Sequence, residues 1–359
     1  MSRFLSERHR NLTPYDSSGE HVEARIKLNT NECPFPPSPK AMARAAEAAH
    51  HLEVYPDPEC RALTAKAAEL LGVRPEELLF TNGSDEILSF IFLAFCDAGR
   101  PAAFPEITYS FYEVLAGLYG VPCRTVPLQP DLSLRPEDCV MPGAGALFIA
   151  NPNSPTGLVL TIPEVEKIIG GNPDSIVVID EAYIDFGPDL RAGSCVPLIH
   201  QYENLIVTQT FSKSRSMVGA RLGFGVACAD LTRDLRAIRD SVGPYNVSAM
   251  TQAAGLGALE DEDYTRANCR AICEARAFTA EGLRTLGFEV IDSVTNFLLA
   301  RHPKIGGQEL ALTLKEQGIL IRSYGAPALR PYVRISIGTH EQMQALLDAL
   351  MEVLSKRAP

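Results

Sequence analysis

The sequence predicts an α/β protein with a large, mostly parallel, doubly wound sheet, followed by a smaller α+β unit. Three observations carry this. From about residue 40 to 260, short apolar runs alternate with helix-length segments, the order that builds a parallel sheet. Two of the runs, Ser175–Asp180 and Leu205–Thr210, have continuous apolar faces, as strands do in a sheet covered on both sides. Beyond residue 263 the alternation gives way to paired strands between helices. At 359 residues the chain has room for both units.

Taken in order, residues 1–36 read as an extended arm, because the segment from Asn29 to Pro39 is dense in proline and small polar residues. An alanine-rich helix follows from Pro39 to about His51 and breaks at Tyr55-Pro56-Asp57-Pro58, and a second spans about Cys60 to Leu71, closed by Gly72. Strands are expected at 78–81, 102–104, 123–128, 146–150, 175–180, 205–210 and 222–228, with helices at 85–96, 109–119 and 162–169. A long helix from about Asp263 to Leu286 opens the last unit. Strands at 288–291, 296–300, 319–322 and 333–337 and helices at 308–317 and 341–356 complete it. The expected division is an arm over 1–36, a large unit over 37–262 and a small unit over 263–359.

The composition excludes several classes. A net charge of −11 and a pI near 5.2 argue against a nucleic-acid or anionic-membrane surface. The start lacks the apolar core of a signal peptide, and no stretch approaches the ~20 apolar residues of a membrane span. Nine cysteines without a CxxC read as reduced thiols of a cytoplasmic protein, and seven histidines without HxxxH or HExxH give no metal site. No GxGxxG sits between a strand and a helix, which disfavours a nicotinamide oxidoreductase.

Four loops after strand ends carry chemistry. Asn82-Gly83-Ser84-Asp85 leads into a helix, where glycine permits close approach and the first N–H groups favour an anion. Taken alone it equally reads as a capped helix. Asn151-Pro152-Asn153-Ser154-Pro155-Thr156-Gly157 is a rigid loop at the edge where open α/β sheets bind ligands. Asp180 ends a buried strand and needs a partner, with Tyr183 three residues on. Lys213 is one of only eight lysines and stands in the hydroxyl-rich stretch Thr210-Phe211-Ser212-Lys213-Ser214, ahead of Arg221. By itself it reads as a surface lysine; beside an anion cradle, an aspartate and a tyrosine it reads as an amine for a carbonyl cofactor. A cationic ring nitrogen, a phenolic oxygen, an aldehyde and a phosphate together match pyridoxal phosphate.

The segments NLTPYD, KLNTNECPFPPSP, VYPDPE, TNGSDEIL, ITYSFY, NPNSPTG, VVIDEAY, TFSKSRSMVGARLGF and YVRISIGT, in this order over residues 11–339, resemble the histidinol-phosphate aminotransferases. These are class II pyridoxal-phosphate-dependent aminotransferases of fold type I. The resemblance implies that Lys213 is the Schiff-base lysine and proton shuttle and that Asp180 holds the pyridine nitrogen protonated. Tyr183 would bond the phenolic oxygen and Tyr109 would stack on the ring. Gly83, Ser84, Asp85, Thr210, Ser212 and Arg221 would cradle the phosphate, with Tyr55 reaching it from a partner subunit in a homodimer with shared sites. The family usually has asparagine directly before PTG; this chain has Ser154, so Asn153 is the expected substitute for that contact. Arg334 resembles the arginine that takes the carboxylate of glutamate or the phosphate of histidinol phosphate, with Arg322, Tyr15 and Asn31 completing that pocket. The implied reaction moves an amino group from histidinol phosphate to 2-oxoglutarate. Rivals on the same motifs are an aromatic amino-acid aminotransferase and a threonine-phosphate decarboxylase-like lyase.

Overall fold

The computed structural model describes residues 2–10, 12–15 and 24–356. Its elements, in chain order, are β1 (Ile26–Leu28), α1 (Pro39–Ala48), α2 (Arg61–Leu71), β2 (Leu78–Thr81), α3 (Ser84–Phe95), β3 (Ala102–Pro105), α4 (Phe111–Tyr119), β4 (Cys123–Val126) and β5 (Ala146–Ala150). Then come α5 (Ile162–Gly170), β6 (Ile176–Asp180), β7 (Leu205–Thr210), β8 (Gly223–Ala227), α6 (Ala229–Val242), α7 (Ala249–Leu259) and α8 (Glu262–Thr285). The last are β9 (Glu289–Val290), β10 (Phe297–Arg301), α9 (Gly307–Glu316), β11 (Ile319–Ser323), β12 (Tyr332–Ser336) and α10 (His340–Ser355).

The large sheet has the order β2-β8-β7-β6-β5-β3-β4. Strands β4, β3, β5, β6 and β7 run parallel, while β8 is antiparallel to both β7 and β2. Every residue of β5, β6 and β7 is buried, so each face needs apolar cover. One face packs Leu147, Ile149, Val177, Ile179, Leu205 and Val207 against Ile168, Ile169 and Leu63, and the other packs Phe148, Val178 and Ile206 against α3 and Tyr112. Local chemistry fixes the helix ends. Ser38 accepts from the Ala41 N–H at the start of α1, Thr161 and Glu164 form a capping box on α5, and Gly72 and Gly120 end α2 and α4 at φ 68° and 67°.

The reversal of β8 positions the site. Its first residue, Gly223, sits opposite both Thr81 and Thr210, so the antiparallel strand begins at the edge where β2, β5, β6 and β7 end. Arg221 therefore reaches that edge from the entry of β8, just ahead of the strand expected from residue 222. A Cβ on Gly223 would stand 2.4 Å from the Ser84 amide nitrogen, so glycine is needed for β8 to pass under the start of α3.

Two helices, α6 and α7, fill residues 229–259, a stretch the sequence reading leaves unassigned. The small sheet has the order β1-β11-β12-β10-β9 over a core of Ile272, Leu283, Phe297, Val333, Ile335, Leu346 and Leu350. Its edge strand corrects the reading of the arm as plain extended chain: Ile26–Leu28 pairs in parallel with Ile319–Ile321. Residues 2–10 and 12–15 lie on α4 of their own chain. Arg8 donates to the Tyr119 carbonyl, and His9 Nε2 lies 3.2 Å from the Leu118 carbonyl oxygen. Asn11 and Asp16, at either end of the arm motif, lie outside the described residues, as do 17–23.

Candidate active site

The strand ends surround a cleft with about 610 Å³ of atom-free space, its open mouth included, lined by Ser84, Asp85, Tyr109, Ala150, Pro152, Ser154, Asp180, Ala182, Tyr183, Thr210, Ser212, Lys213, Val218 and Arg221. Nine of the site residues expected from sequence meet in this wall.

Asp180 is the buried floor. It follows four apolar residues of β6 and is 4 % exposed. Tyr112 donates to Oδ2 at 2.8 Å and Thr208, its register partner on β7, donates to Oδ1 at 3.1 Å. Burial pushes its carboxyl up to about 6 despite these two hydroxyls. Tyr112 and Thr208 are absent from the sequence-based set. The signal for Tyr112 is a second phenol three residues after Tyr109, at the start of a helix; that for Thr208 is its place two residues before Thr210, on the same strand face.

The cradle lies at the start of α3. Gly83, at φ 81° and ψ 164°, occupies backbone space closed to other residues, and no side chain caps the first N–H groups of the helix. A Cβ on Gly83 would stand 2.7 Å from Arg221 Nη2. Arg221 pairs with Asp85 Oδ2 at 2.9 Å, and Tyr109 donates to Asp85 Oδ1 at the same distance. Burial and that carboxylate push the Tyr109 phenol up. Asp85 thus enters the site through its carboxylate, which ties Arg221 to Tyr109, and not through its amide alone.

Across the cleft, Lys213 Nζ lies 5.7 Å from the Tyr183 ring centroid. Tyr183 is 8 % exposed, meets Phe297 edge-on and accepts a 3.0 Å hydrogen bond from Asn31 Nδ2. Asn31 is fixed in turn: at φ 55° and 2 % exposed, its Oδ1 accepts from Ser336 Oγ and its carbonyl from Asn296 Nδ2. Asn31 therefore orders inside its own chain and supports Tyr183. The arm residue expected to complete the substrate pocket thus has its polar groups engaged within its own chain.

One further assignment changes. Asn153 faces away from the cleft: its amide donates to the Ile107 carbonyl and to Thr156 Oγ1, and its Oδ1 accepts from Thr108 Oγ1. Both N–H donors of that side chain are spent holding the loop, so it cannot replace the donor of the asparagine missing at Ser154, which itself lines the cleft. Tyr55 is 78 % exposed and stacks on Tyr245 at 4.5 Å, outside the cleft of its own chain. Tyr15 packs edge-on to Phe111, beside Tyr109, and is not in the wall. Arg334 and Arg322 stand opposite each other on β12 and β11. Arg334 donates to the Asn29 carbonyl at 2.9 Å, and its Nη1 lies 3.5 Å from Ser154 Oγ, which links it to the cleft.

Among the described residues no cluster of histidine, cysteine or carboxylate could hold a metal ion, and no helix is long and apolar enough to cross a membrane. A family model described as aminotransferase class I and II matches residues 23–350. A histidinol-phosphate aminotransferase of Aromatoleum aromaticum is 42 % identical over 359 residues, covering 99 % of this chain and 100 % of that relative. One of Pseudomonas putida is 43 % identical over 352 residues, covering 98 % of this chain and 100 % of that relative. The fold matches, with a TM-score of 0.89 and 24 % identity, a crystal structure of histidinol-phosphate aminotransferase from Sinorhizobium meliloti in complex with pyridoxal-5'-phosphate, covering 100 % of this chain and 99 % of that one. The chain belongs to the class I and II aminotransferases.

Proposed function

We propose that the protein is a pyridoxal-phosphate-dependent histidinol-phosphate aminotransferase, exchanging histidinol phosphate and 2-oxoglutarate for imidazole acetol phosphate and glutamate in histidine biosynthesis. The observation that carries the cofactor part is the convergence of Lys213, the buried Asp180 and the uncapped start of α3 beside Arg221 in one cleft. Full-length similarity to histidinol-phosphate aminotransferases carries the substrate part.

The donor set fits the group. The N-terminal amides of α3 with Ser84, Thr210, Ser212 and Arg221 suit a phosphate, and a buried aspartate suits a protonated ring nitrogen. When bound, pyridoxal phosphate supplies the carbonyl that takes up the amino group and a ring that delocalises the electron pair left at the substrate carbon. Asp180, whose anionic form Tyr112 and Thr208 favour by donating to it, would keep the proton on the ring nitrogen. Lys213, in the wall of the cleft, would bind the carbonyl and would serve to carry a proton to and from the substrate α-carbon. Tyr183 accepts from Asn31, which leaves its own O–H free to donate, and it would donate to the ring oxygen without the second contact that the asparagine before PTG usually gives. Arg334 orients the anionic end of the substrate, with Arg322 opposite it.

The same reading makes the enzyme a cytoplasmic homodimer with shared sites, built from an arm (1–36), a large unit (37–262) and a small unit (263–359), with β1 as the arm's contribution to the small sheet. Support for the dimer is the exposed apolar group of Leu52, Val54, Tyr55, Val242 and Tyr245 around the Tyr55–Tyr245 stack. The test is turnover of histidinol phosphate, phenylalanine, tyrosine and threonine phosphate with 2-oxoglutarate by cofactor-loaded protein. Histidinol phosphate should give the highest kcat/KM, and a Lys213→Ala protein should give none. A preference for an aromatic amino acid, or release of carbon dioxide from threonine phosphate, overturns the assignment.

A further inference from the structure

Arg322 and Arg334 are direct register partners on β11 and β12, so their side chains share one face of the small sheet, opposite the core residue Val333. Like charges in this arrangement repel, yet among the described residues neither guanidinium has a carboxylate within ion-pair distance. Arg334 Nε is buried without a hydrogen-bond partner among those residues, and only its Nη groups are engaged, by Asn29 and Ser154. Tyr324 lies two residues after Arg322, directly beyond the end of β11. Its hydroxyl is likewise buried with no hydrogen-bond partner, and it lies within electrostatic range of Arg334, Arg322 and Tyr183. An orphaned phenol costs stability unless a ligand completes it.

We propose that Tyr324 is a specificity-determining residue, donating its hydroxyl to the third oxygen of a substrate phosphate monoester whose other oxygens take Arg322 and Arg334. The inference rests on the function proposed above and deepens it, since Tyr324 has no assigned part in that reading. A carboxylate has two oxygens, which one guanidinium fork satisfies. A phosphate monoester offers a third, and near neutral pH a second negative charge. Such a subsite therefore serves both substrates of the exchange but favours the phosphorylated one, and the phenol is the donor that makes the difference.

The experiment uses cofactor-loaded Tyr324→Phe protein, so that the cofactor's own phosphate cradle is filled. Loss of one hydrogen bond to a charged group should raise KM for histidinol phosphate roughly 10- to 100-fold, with kcat nearly kept. KM for 2-oxoglutarate should move less than about two-fold. Inorganic phosphate, used as a competitor, should lose affinity by the same factor as histidinol phosphate. The melting temperature should hold or rise, because a buried hydroxyl without a partner is removed. Equal losses on both substrates, no loss on either, or a clear drop in melting temperature overturns the proposal. If wild-type protein does not turn over histidinol phosphate, the functional reading fails. Unaltered binding of inorganic phosphate by Tyr324→Phe would then refute the Tyr324 assignment on its own.

Discussion

Replacing Asp180 with asparagine should make the cofactor-free protein more stable while making the loaded enzyme far slower. The carboxyl holds its proton up to about pH 6 in the fold, against an ordinary 3.8, because it is buried. At about 1.4 kcal/mol for each tenfold change in proton affinity, ionised Asp180 is about 3 kcal/mol worse off in the fold than in the unfolded chain. A pKa raised on folding contributes stability that is complete below about pH 4 and is lost as pH rises through about 6. Asparagine has nearly the same shape, does not titrate, and can still meet the Tyr112 and Thr208 hydroxyls. Urea unfolding of cofactor-free protein should therefore give nearly equal stabilities near pH 4 and an advantage of about 3 kcal/mol to Asp180→Asn at pH 8. Glu181, also buried and pushed up to about 7, titrates in both proteins and cancels from the comparison. In the loaded enzyme the same change removes the partner of a cationic ring nitrogen, and kcat should fall at least about 100-fold. A variant that is less stable at pH 8, or that turns over normally, refutes the reasoning.

Two other perturbations read the cradle and the shared site. Gly83→Ala forces a side chain into backbone space that costs about 1–3 kcal/mol and pushes Arg221 from Asp85, so cofactor titration should show roughly tenfold or greater weakening while secondary structure by circular dichroism is kept. If the proposed dimer shares its sites, mixing Lys213→Ala chains with Tyr55→Ala chains under full subunit exchange should restore about a quarter of wild-type sites, because half the dimers are mixed and each holds one intact site; no recovery despite confirmed mixed dimers would remove Tyr55 from the partner's site.

Most of the cleft was legible because the residues that carry the chemistry follow strands whose apolar runs are unmistakable: Asp180 after SIVVI, Lys213 after LIVTQT, Ser84 after LLFT. Where a parallel strand stops, the next few residues stand at one edge of the sheet, so sequence order translates into proximity. Legibility ends where side-chain direction depends on loop geometry. Asn153 and Ser154 are neighbours, and nothing in their order says which faces the cleft. It ends also where a contact spans the chain, as with Asn31 beneath Tyr183 or Thr208 against Asp180. The helix Ala249–Leu259 escaped because its small residues give no apolar stripe, Gly257 meeting the Lys40 backbone as α7 packs against α1. Helix α6, by contrast, carries a helical apolar stripe in Leu231, Leu235, Ile238 and Val242 that is visible in the sequence.

The pairing of β1 with β11 has a consequence for how the chain is made. Ile26 finds its partner Ile319 roughly 290 residues later, so one edge strand of the small sheet leaves the ribosome long before its neighbour. All seven strands of the large sheet lie between them and can pair while synthesis continues. The N-terminal strand must wait unpaired through that time, and its sequence suits the wait: Arg25, Lys27 and the prolines from Pro34 onward discourage pairing with a stranger. Asn31 follows that strand by three residues, so the support beneath Tyr183 is the last part of the cleft to settle, although its codon is read before those of every residue that lines the wall.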